Sequence, residues 1–310
     1  MLSGMTRPAV DIVVPFVGSD AGLLALLARL RTIRREPADT LTVVDNRPGA
    51  SEPPDDVLRA PERQSSYFAR NRGAERGSAP WIVFLDADVE PEPDLLERYF
   101  EEPPGPRTGL LAGRVEPTLA PGGGPVTRYG VLRGHLEIEG TRGAGGRDHA
   151  LTANLAVRRE AFAAVDGFVD GIRSGGDADF CFRVQDAGWG LERRPGARVR
   201  HPTRASVGAL VRVFVRYGSG AQWLWDRYPD FQPPGSVPRV LLGVLAAGVR
   251  VPLAAVRGRP DETLTATLDP LVSLAFELGR FLPNHAGAGR REHLHYARRV
   301  LRQRRRHRRR

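Results

Sequence analysis

One apolar run that ends in two carboxylates constrains this sequence more than any other feature. Residues 81–85 (WIVFL) have the length and the β-branched and aromatic character of a buried strand. Asp86 and Asp88 follow, where the strand opens into a loop. Alternate residues of an extended chain point to the same side, so the two carboxylates converge and repel unless a cation lies beside them. The pattern predicts a metal–diphosphate site, with an Asp-rich turn as the structural alternative.

Two further predicted strands precede this run, and helical patterns separate the three. The predicted strands are 10–16, 40–46 and 81–85, and the predicted helices are 22–35 and 65–74. This alternation predicts an α/β fold with parallel strands and right-handed crossovers. Ligands of such sheets bind beyond the carboxyl ends of the strands, so Pro15, Asp45 and Asp86 are expected along one edge.

Helical patterns replace the strands after residue 205. Within the apolar segment 240–256 only ten residues run without a charge, whereas a membrane-spanning helix needs about 20. We therefore predict a catalytic domain at 1–205 and a helical extension at 206–300 that lies on a membrane or covers the domain. The single cysteine, Cys181, excludes an internal disulfide and fits a reducing compartment. The N-terminus has no signal-peptide pattern, so we expect a cytoplasmic location.

The last ten residues, 301–310, are predicted to form an Arg-rich tail. Residues 302–310 hold seven Arg and account for most of the formal net charge of +10. Such a run is a solvated tail or a contact to anionic lipid, which would place the protein on the inner face of the cell membrane. Nucleic-acid binding is disfavoured, because no aromatic array for base stacking accompanies the arginines.

A series of short motifs follows the predicted framework in a fixed order. They are 13–16 (VVPF), 43–46 (VVDN), 69–73 (ARNRG), 84–88 (FLDAD), 152–159 (TANLAVRR), 166–168 (DGF), 176–183 (GDADFCFR) and 199–201 (VRH). Their order and spacing resemble family 2 glycosyltransferases over about residues 10–201. The resemblance implies a GT-A fold, with a Rossmann-like, mostly parallel sheet flanked by helices. It also implies inverting transfer from a nucleotide-diphosphate sugar donor to a hydroxyl acceptor, with Mg²⁺ or Mn²⁺ as cofactor.

The resemblance also implies roles on the donor side. Pro15 and Asp45 match positions that hold the nucleotide, and a carboxylate can accept a hydrogen bond from a base N–H or a ribose hydroxyl. Arg70 matches an arginine that approaches the donor diphosphate or base, with a solvated helix charge as the alternative. Asp86 would orient the ribose or the sugar. Asp88 would ligate the metal ion, which neutralises the leaving diphosphate.

Two further matches concern the metal and the base. His201 matches a histidine that completes the metal site, although a histidine at a strand end also suits a structural role. Asp177 matches the catalytic base that takes the acceptor proton, and as a structural alternative it would cap the helix that follows. Gly176 stands where the family usually has Glu. Asp179 is a reserve base, although pairing with Arg183 is the preferred interpretation.

The predicted reaction adds a single sugar, because the Gln-x-x-Arg-Trp motif of processive members is not found and the sequence at 222–223 does not match it. The acceptor class is a cell-envelope lipid, a polysaccharide precursor or a metabolite. One alternative is a sugar-phosphate nucleotidyltransferase, but the loop at 16–20 lacks the Gly-rich, basic pattern of that class. The other alternative is a degenerate enzyme that serves as a membrane-associated scaffold. The replacement of the usual Glu by Gly176 is the reason to retain this alternative.

Overall fold

A computed structural model describes residues 7–49, 54, 56–134, 146–235, 237–285 and 290–307. The chain divides into two compact units. The first consists of residues 1–116, 136–171 and 176–201, and the second of residues 117–135, 172–175 and 202–310. Most of the glycine-rich segment at 140–147, which the sequence suggests as a lid, lies outside the described residues.

Strands and helices alternate through the first part of the chain, and helices follow. In order, the elements are β1 (Val10–Phe16), α1 (Asp20–Leu30), β2 (Thr40–Asp45), β3 (Val57–Arg59), α2 (Ser66–Arg76), β4 (Trp81–Leu85), β5 (Glu90–Pro91), α3 (Leu95–Tyr99), β6 (Thr108–Thr118), α4 (Pro125–Arg133), β7 (Asn154–Arg158), α5 (Arg159–Ala163), α6 (Gly176–Asp186), β8 (Gly190–Pro202), α7 (Val207–Arg227), α8 (Val237–Val256), α9 (Pro260–Gly279) and α10 (Arg290–His307).

The strands form one eight-stranded sheet in the order β3-β2-β1-β4-β7-β6-β8-β5. The pairs β1–β2 and β1–β4 are parallel, as the strand–helix alternation predicts, and β3, which was not predicted, pairs with β2 in parallel. The pairs β4–β7, β6–β7 and β5–β8 are antiparallel. The predicted α/β class with helices at the C-terminal end is confirmed. The parallel part of the sheet is the half formed by four strands, β3, β2, β1 and β4. Candidate site residues lie at the ends of these strands.

The core lies against the parallel half of the sheet. All five residues of β4 are buried, and α1 packs its buried leucines, among them Leu26 and Leu30, into the same cluster. Full burial of one such side chain stabilises the fold by about 2 kcal/mol. Gly73 lets α2 approach the sheet closely, because a Cβ at this position would lie 2.4 Å from Cγ1 of Val13. This contact fixes the helix that carries Tyr67 and Arg70.

The second unit is helical. Tyr129 of α4 packs with Leu210 of α7 and with Leu268 and Val272 of α9 in a small apolar cluster. Across the part of the chain that the structure describes, no helix combines the length and the apolarity that crossing a membrane requires.

The arginine run differs from the predicted tail, because α10 continues through His307. Arg299 forms an ion pair of 3.0 Å with Asp226, and Arg304 forms one of 3.0 Å with Glu277. These pairs, together with the good helix propensity of arginine, explain why the segment is helical. Residues 308–310 lie outside the described residues.

Candidate active site

The predicted donor-side residues lie along the carboxyl edge of the parallel strands. In the β1–β2 pair, Pro15 is registered with Val44 and Phe16 with Asp45. Strand β1 also pairs with β4, whose last residue precedes Asp86. Strand ends from three neighbouring strands therefore meet at one edge, which is where ligands bind in open α/β sheets.

Three side chains at this edge could hold a metal ion. One ligand atom each from Asp86, Asp88 and His201 lies within 4.8 Å of the others. His201 is buried, and its Nε2 lies 3.3 Å from Oδ1 of Asp88. Strand β8 brings His201 here, because β8 pairs with β5 in the segment just after Asp88. The two carboxylates supply the oxygen ligands that Mg²⁺ and Mn²⁺ take, and the imidazole adds a nitrogen ligand of the kind that transition metals accept.

Asp86 is held from the protein side by Arg70. The Arg70 guanidinium is buried and donates a hydrogen bond to Oδ1 of Asp86. Burial raises the pKa of the Asp86 carboxyl although 34% of its side chain is open to solvent. Arg70 opposes this rise in pKa, whereas the charges of Asp88 and Asp177 add to it. The structure thus places Arg70 as the partner of a site carboxylate.

Asp177 lies in the first turn of α6, one residue after the helix begins. Its Oδ1 accepts a hydrogen bond of 2.7 Å from the Tyr67 hydroxyl. Its Oδ2 accepts bonds from the backbone N–H and the hydroxyl of Thr152, at 3.1 Å and 3.2 Å. The carboxylate is therefore oriented by α2 and by the segment before β7. This differs from the predicted capping role, in which Asp177 precedes its helix and bonds to that helix.

Tyr67 is the site residue that the sequence analysis missed. It is buried, its hydroxyl accepts the Gly176 backbone N–H at 3.0 Å, and its ring lies 5.6 Å from the Arg70 guanidinium. Burial, followed by the charge of Asp177, raises the pKa of the Tyr67 hydroxyl well above its usual value. Tyr67 therefore stays protonated and donates to Asp177. Its partners lie about 110 positions away in sequence, and no local pattern marks it.

Tyr67 also explains the glycine at position 176. A Cβ at Gly176 would lie 2.6 Å from Cζ of Tyr67, closer than real Cβ atoms approach other heavy atoms. Any larger residue would have to displace the ring that holds Asp177. Position 176 is thus Gly rather than the usual Glu, and the Tyr67 ring fills the space that a side chain at this position would need. In the sequence, Gly176 was the signal that the surroundings of Asp177 differ from the usual pattern.

Asp45 and Asp179 are both engaged by arginines. Asp45 is buried and accepts hydrogen bonds from Arg47 and Arg59 at 2.9 Å and 3.0 Å. Burial acts to raise the pKa of Asp45, but the hydrogen bonds from Arg47 outweigh it and hold the pKa below its usual value. Asp179 is buried and pairs with Arg183 at 2.8 Å, which confirms its predicted pairing.

The fold and the site together define a class of protein. A Rossmann-like parallel half-sheet, an Asp-x-Asp pair at its carboxyl edge and a return strand that delivers a histidine resemble the arrangement of GT-A-type glycosyltransferases. Residues 11–118 match the model of the family described as Glycosyl transferase family 2. The chain is therefore similar to this family over residues 11–118, which make up about a third of its length.

Two curated relatives are similar to the chain. The pre-mycofactocin glycosyltransferase of Mycobacterium tuberculosis (strain CDC 1551 / Oshkosh) is 29% identical over 280 residues, which cover 86% of this chain and 57% of the relative. The glycosyltransferase AglE of Haloferax volcanii is 33% identical over 174 residues, which cover 56% of each protein. The chain thus spans little more than half the length of the curated relatives it matches.

Two solved structures share the fold. The mannosyltransferase PcManGT from Pyrobaculum calidifontis, in complex with GDP-Man and Mn²⁺, superimposes with a TM-score of 0.54 at 16% identity, covering 86% of this chain and 88% of that one. GalNAc-T7 with UDP, GalNAc and Mn²⁺ gives a TM-score of 0.51 at 15% identity, covering 73% and 50%. These identities show a common fold.

Proposed function

We propose that this chain is a metal-dependent, inverting glycosyltransferase that moves one sugar from a nucleotide-diphosphate donor to a hydroxyl acceptor. One observation carries the proposal. The Asp86, Asp88 and His201 ligand atoms converge, and Tyr67, which donates a hydrogen bond to Asp177, has its ring beside the Arg70 guanidinium that binds Asp86. A metal group and a candidate base therefore share one site, which the chemistry of such a transfer requires.

The proposed roles of the donor-side residues follow from their contacts. Asp88 and His201 would hold Mg²⁺ or Mn²⁺, whose charge would stabilise the leaving diphosphate. Asp45 would bind the base or ribose of the nucleotide at the edge of β2, beside Pro15. Asp86, fixed by Arg70, would orient the ribose or the donor sugar.

Asp177 would act on the acceptor side. As the acceptor oxygen forms its bond to the anomeric carbon, the bond from that carbon to the diphosphate oxygen breaks. The hydroxyl proton passes to the Asp177 carboxylate, which Tyr67 and Thr152 hold in one orientation. Because the base and the leaving group act on opposite faces of the carbon, the reaction inverts its configuration.

The contact between Tyr67 and Gly176 supports this function over a degenerate scaffold. In a scaffold, loss of the usual Glu would leave a gap beside the base. Here the buried tyrosine fills that position and holds the carboxylate. The loop after β1 also favours transfer over nucleotidyl chemistry, because the Ser19 hydroxyl caps α1 at 3.1 Å and residues 16–20 lack a Gly-rich, basic pattern.

The proposal includes an acceptor class and a cellular location. A cell-envelope lipid, a polysaccharide precursor or a metabolite would each supply the hydroxyl. We propose a cytoplasmic location with peripheral attachment to the inner face of the membrane. Within the arginine run, Arg302 is exposed and would contribute to attachment, whereas Arg304 is already paired with Glu277.

Donor turnover tests the proposal. The full chain is incubated with Mn²⁺ and a panel of GDP- and UDP-sugars, and release of the nucleoside diphosphate is measured. We expect slow hydrolysis of at least one donor, abolished by EDTA. The Asp177→Asn variant should lose transfer to an acceptor while it still binds the nucleoside diphosphate. Asp186→Asn, on the exposed side of the same helix, is the matched control. No binding and no hydrolysis of any donor would contradict the proposal.

A further inference from the structure

Helix α8 presents an apolar stripe to the outside of the second unit. Leu242, Leu245, Val249, Leu253 and Val256 are 62%, 71%, 69%, 45% and 88% exposed. Steps of three and four residues place all five side chains on one face of the helix. We call these five residues the outer face of α8.

An ordinary surface helix turns its apolar face towards the protein core, whereas α8 turns the outer face to solvent. Ala254, on another side of α8, is buried, while the five side chains of the outer face are exposed to solvent. Single exposed apolar residues are normal on soluble proteins, but a contiguous row of this kind marks an interaction surface.

The charges on α8 itself and on the residues that flank it up to residue 260 have one sign. Residues 231–260 contain four Arg and no Asp or Glu. Arg250 and Arg257 are exposed, and at 3.6 residues per turn both lie beside one edge of the outer face. The surface therefore combines an apolar stripe with a positive border, which fits a partner that offers acyl chains beneath a layer of phosphates.

We propose that the outer face of α8 lies in the headgroup region of an anionic bilayer, with its apolar side chains towards the acyl chains and its arginines at the phosphates. A second copy of this chain fits less well, because it would bring the same arginines, and the carboxylates just beyond α8, Asp261 and Glu262, are already paired with Arg128 and Arg259. The proposal goes beyond glycosyl transfer and does not depend on it. A helix of this kind binds in the plane of the interface, which agrees with the finding that none of the described helices is suited to span the membrane.

Vesicle sedimentation of the full chain tests the proposal without any nucleotide. Vesicles of phosphatidylcholine alone are compared with vesicles in which a quarter of the lipid is phosphatidylglycerol. The wild-type protein should bind the anionic vesicles more tightly, with an affinity that falls as salt is added. The double variant Leu245→Asp/Val249→Asp should bind at least about tenfold more weakly.

Two further variants make the test specific. Leu24→Asp changes a leucine that is 63% exposed on α1, and it should bind like the wild-type protein. Arg250→Gln/Arg257→Gln should lose about tenfold or more in affinity for anionic vesicles, because each arginine contributes about fivefold. The unfolding temperature of each variant shows whether it is folded.

Each contrary result would overturn the proposal. The first is equal binding of Leu24→Asp and Leu245→Asp/Val249→Asp. The second is no preference of the wild-type protein for anionic lipid. The third is a wild-type dimer in light scattering that Leu245→Asp/Val249→Asp converts to a monomer, with vesicle binding unchanged. That last outcome would assign the outer face of α8 to self-association.

Discussion

The hydroxyl of Tyr67 donates a hydrogen bond of 2.7 Å to Oδ1 of Asp177. The same oxygen of Tyr67 accepts the backbone N–H of Gly176, and its ring faces the Arg70 guanidinium that binds Asp86. One buried side chain therefore connects the proposed base with the donor-side carboxylate. This connection gives Tyr67 a positioning role that its place in α2 alone does not indicate.

Removing the Tyr67 hydroxyl should affect turnover more than donor binding. A hydrogen bond to a charged group contributes about 1.5–3 kcal/mol, so Tyr67→Phe should lower kcat by about tenfold or more while KM for the donor stays nearly constant. Steady-state kinetics with the donor found in the panel measures both constants.

Tyr129→Phe is the matched control, because Tyr129 is also buried and donates to a carboxylate, that of Asp269, at 3.0 Å. Both variants should lose a similar free energy of unfolding, but Tyr129→Phe should keep its kcat. Equal kcat values for the two variants would show that the Tyr67 hydroxyl serves stability alone.

Restoring the family's usual residue at position 176 should damage this protein. Gly176→Glu, and even Gly176→Ala, would force the Tyr67 ring to move, and overpacking of this kind costs about 1–3 kcal/mol. Thermal unfolding should show a lower Tm for both variants. Gly248→Ala, where a Cβ meets nothing within 4 Å, should leave Tm unchanged or slightly higher.

A double-mutant cycle identifies the cause of that loss. In a Tyr67→Ala background the ring is absent, so Gly176→Ala should cost much less than it does in the wild-type protein. If the cost is the same in both backgrounds, contact with Tyr67 is not the reason for the glycine.

The sequence was sufficient for three of the four strands of the parallel half of the sheet, all but β3, and for the Asp-x-Asp end of β4. Those features are local, because an apolar run and the two residues after it can be recognised without knowing their neighbours. The antiparallel pairs β4–β7 and β6–β7 were not predicted from the residue pattern, since strand direction depends on the path of the chain. Tyr67 was missed for the same reason. Its function rests on contacts with residues distant in sequence, and only packing reveals them.

Two helices show another limit of sequence reasoning. Helix α4 was not predicted, because the Pro- and Gly-rich residues before it indicate a loop, although Pro125 is suited to the first turn of a helix. The last part of α10, residues 301–307, was predicted as part of a charged tail. Its ion pairs with Asp226 and Glu277 are tertiary contacts that charge content alone does not indicate.

The buried pair of Arg7 and Asp39 predicts how stability changes in acid. Asp39 accepts hydrogen bonds from Arg7 and, at 2.9 Å, from the Val10 backbone N–H. Burial opposes ionisation of Asp39, but these hydrogen bonds prevail and hold its pKa below the usual value. Because the pKa is lower in the folded protein, the stabilisation is complete above the unfolded pKa of about 3.9 and is lost as the pH falls below it.

Asp39→Asn should therefore cost about 3 kcal/mol of unfolding free energy at neutral pH, as expected when a buried ion pair is broken. The difference from wild type should shrink below pH of about 4. Asp94→Asn, in an exposed pair with Arg98, should change little at either pH. Denaturant unfolding at several pH values checks this, and a difference that grows in acid would contradict it.

Cys181 should be unreactive in the native protein. The thiol is fully buried, and burial raises its pKa to about 12. A thiol with this pKa is protonated at pH of about 8 and presents almost no thiolate to a disulfide reagent. We expect no fast reaction with Ellman's reagent until guanidinium is added, and then reaction of one thiol per chain. A rapid stoichiometric reaction in the native state would contradict the described packing.

The most direct test of the central claim is calorimetric titration of the protein with GDP and with UDP, in the presence and absence of Mn²⁺. If Asp88 and His201 hold a cation that binds the diphosphate, one nucleotide should bind far more tightly with Mn²⁺ than without it. Asp88→Asn and His201→Ala should each remove that enhancement, and Asp94→Asn should keep it. A nucleotide affinity that does not depend on Mn²⁺, or an enhancement by Mn²⁺ that is retained in both site variants, would contradict the account.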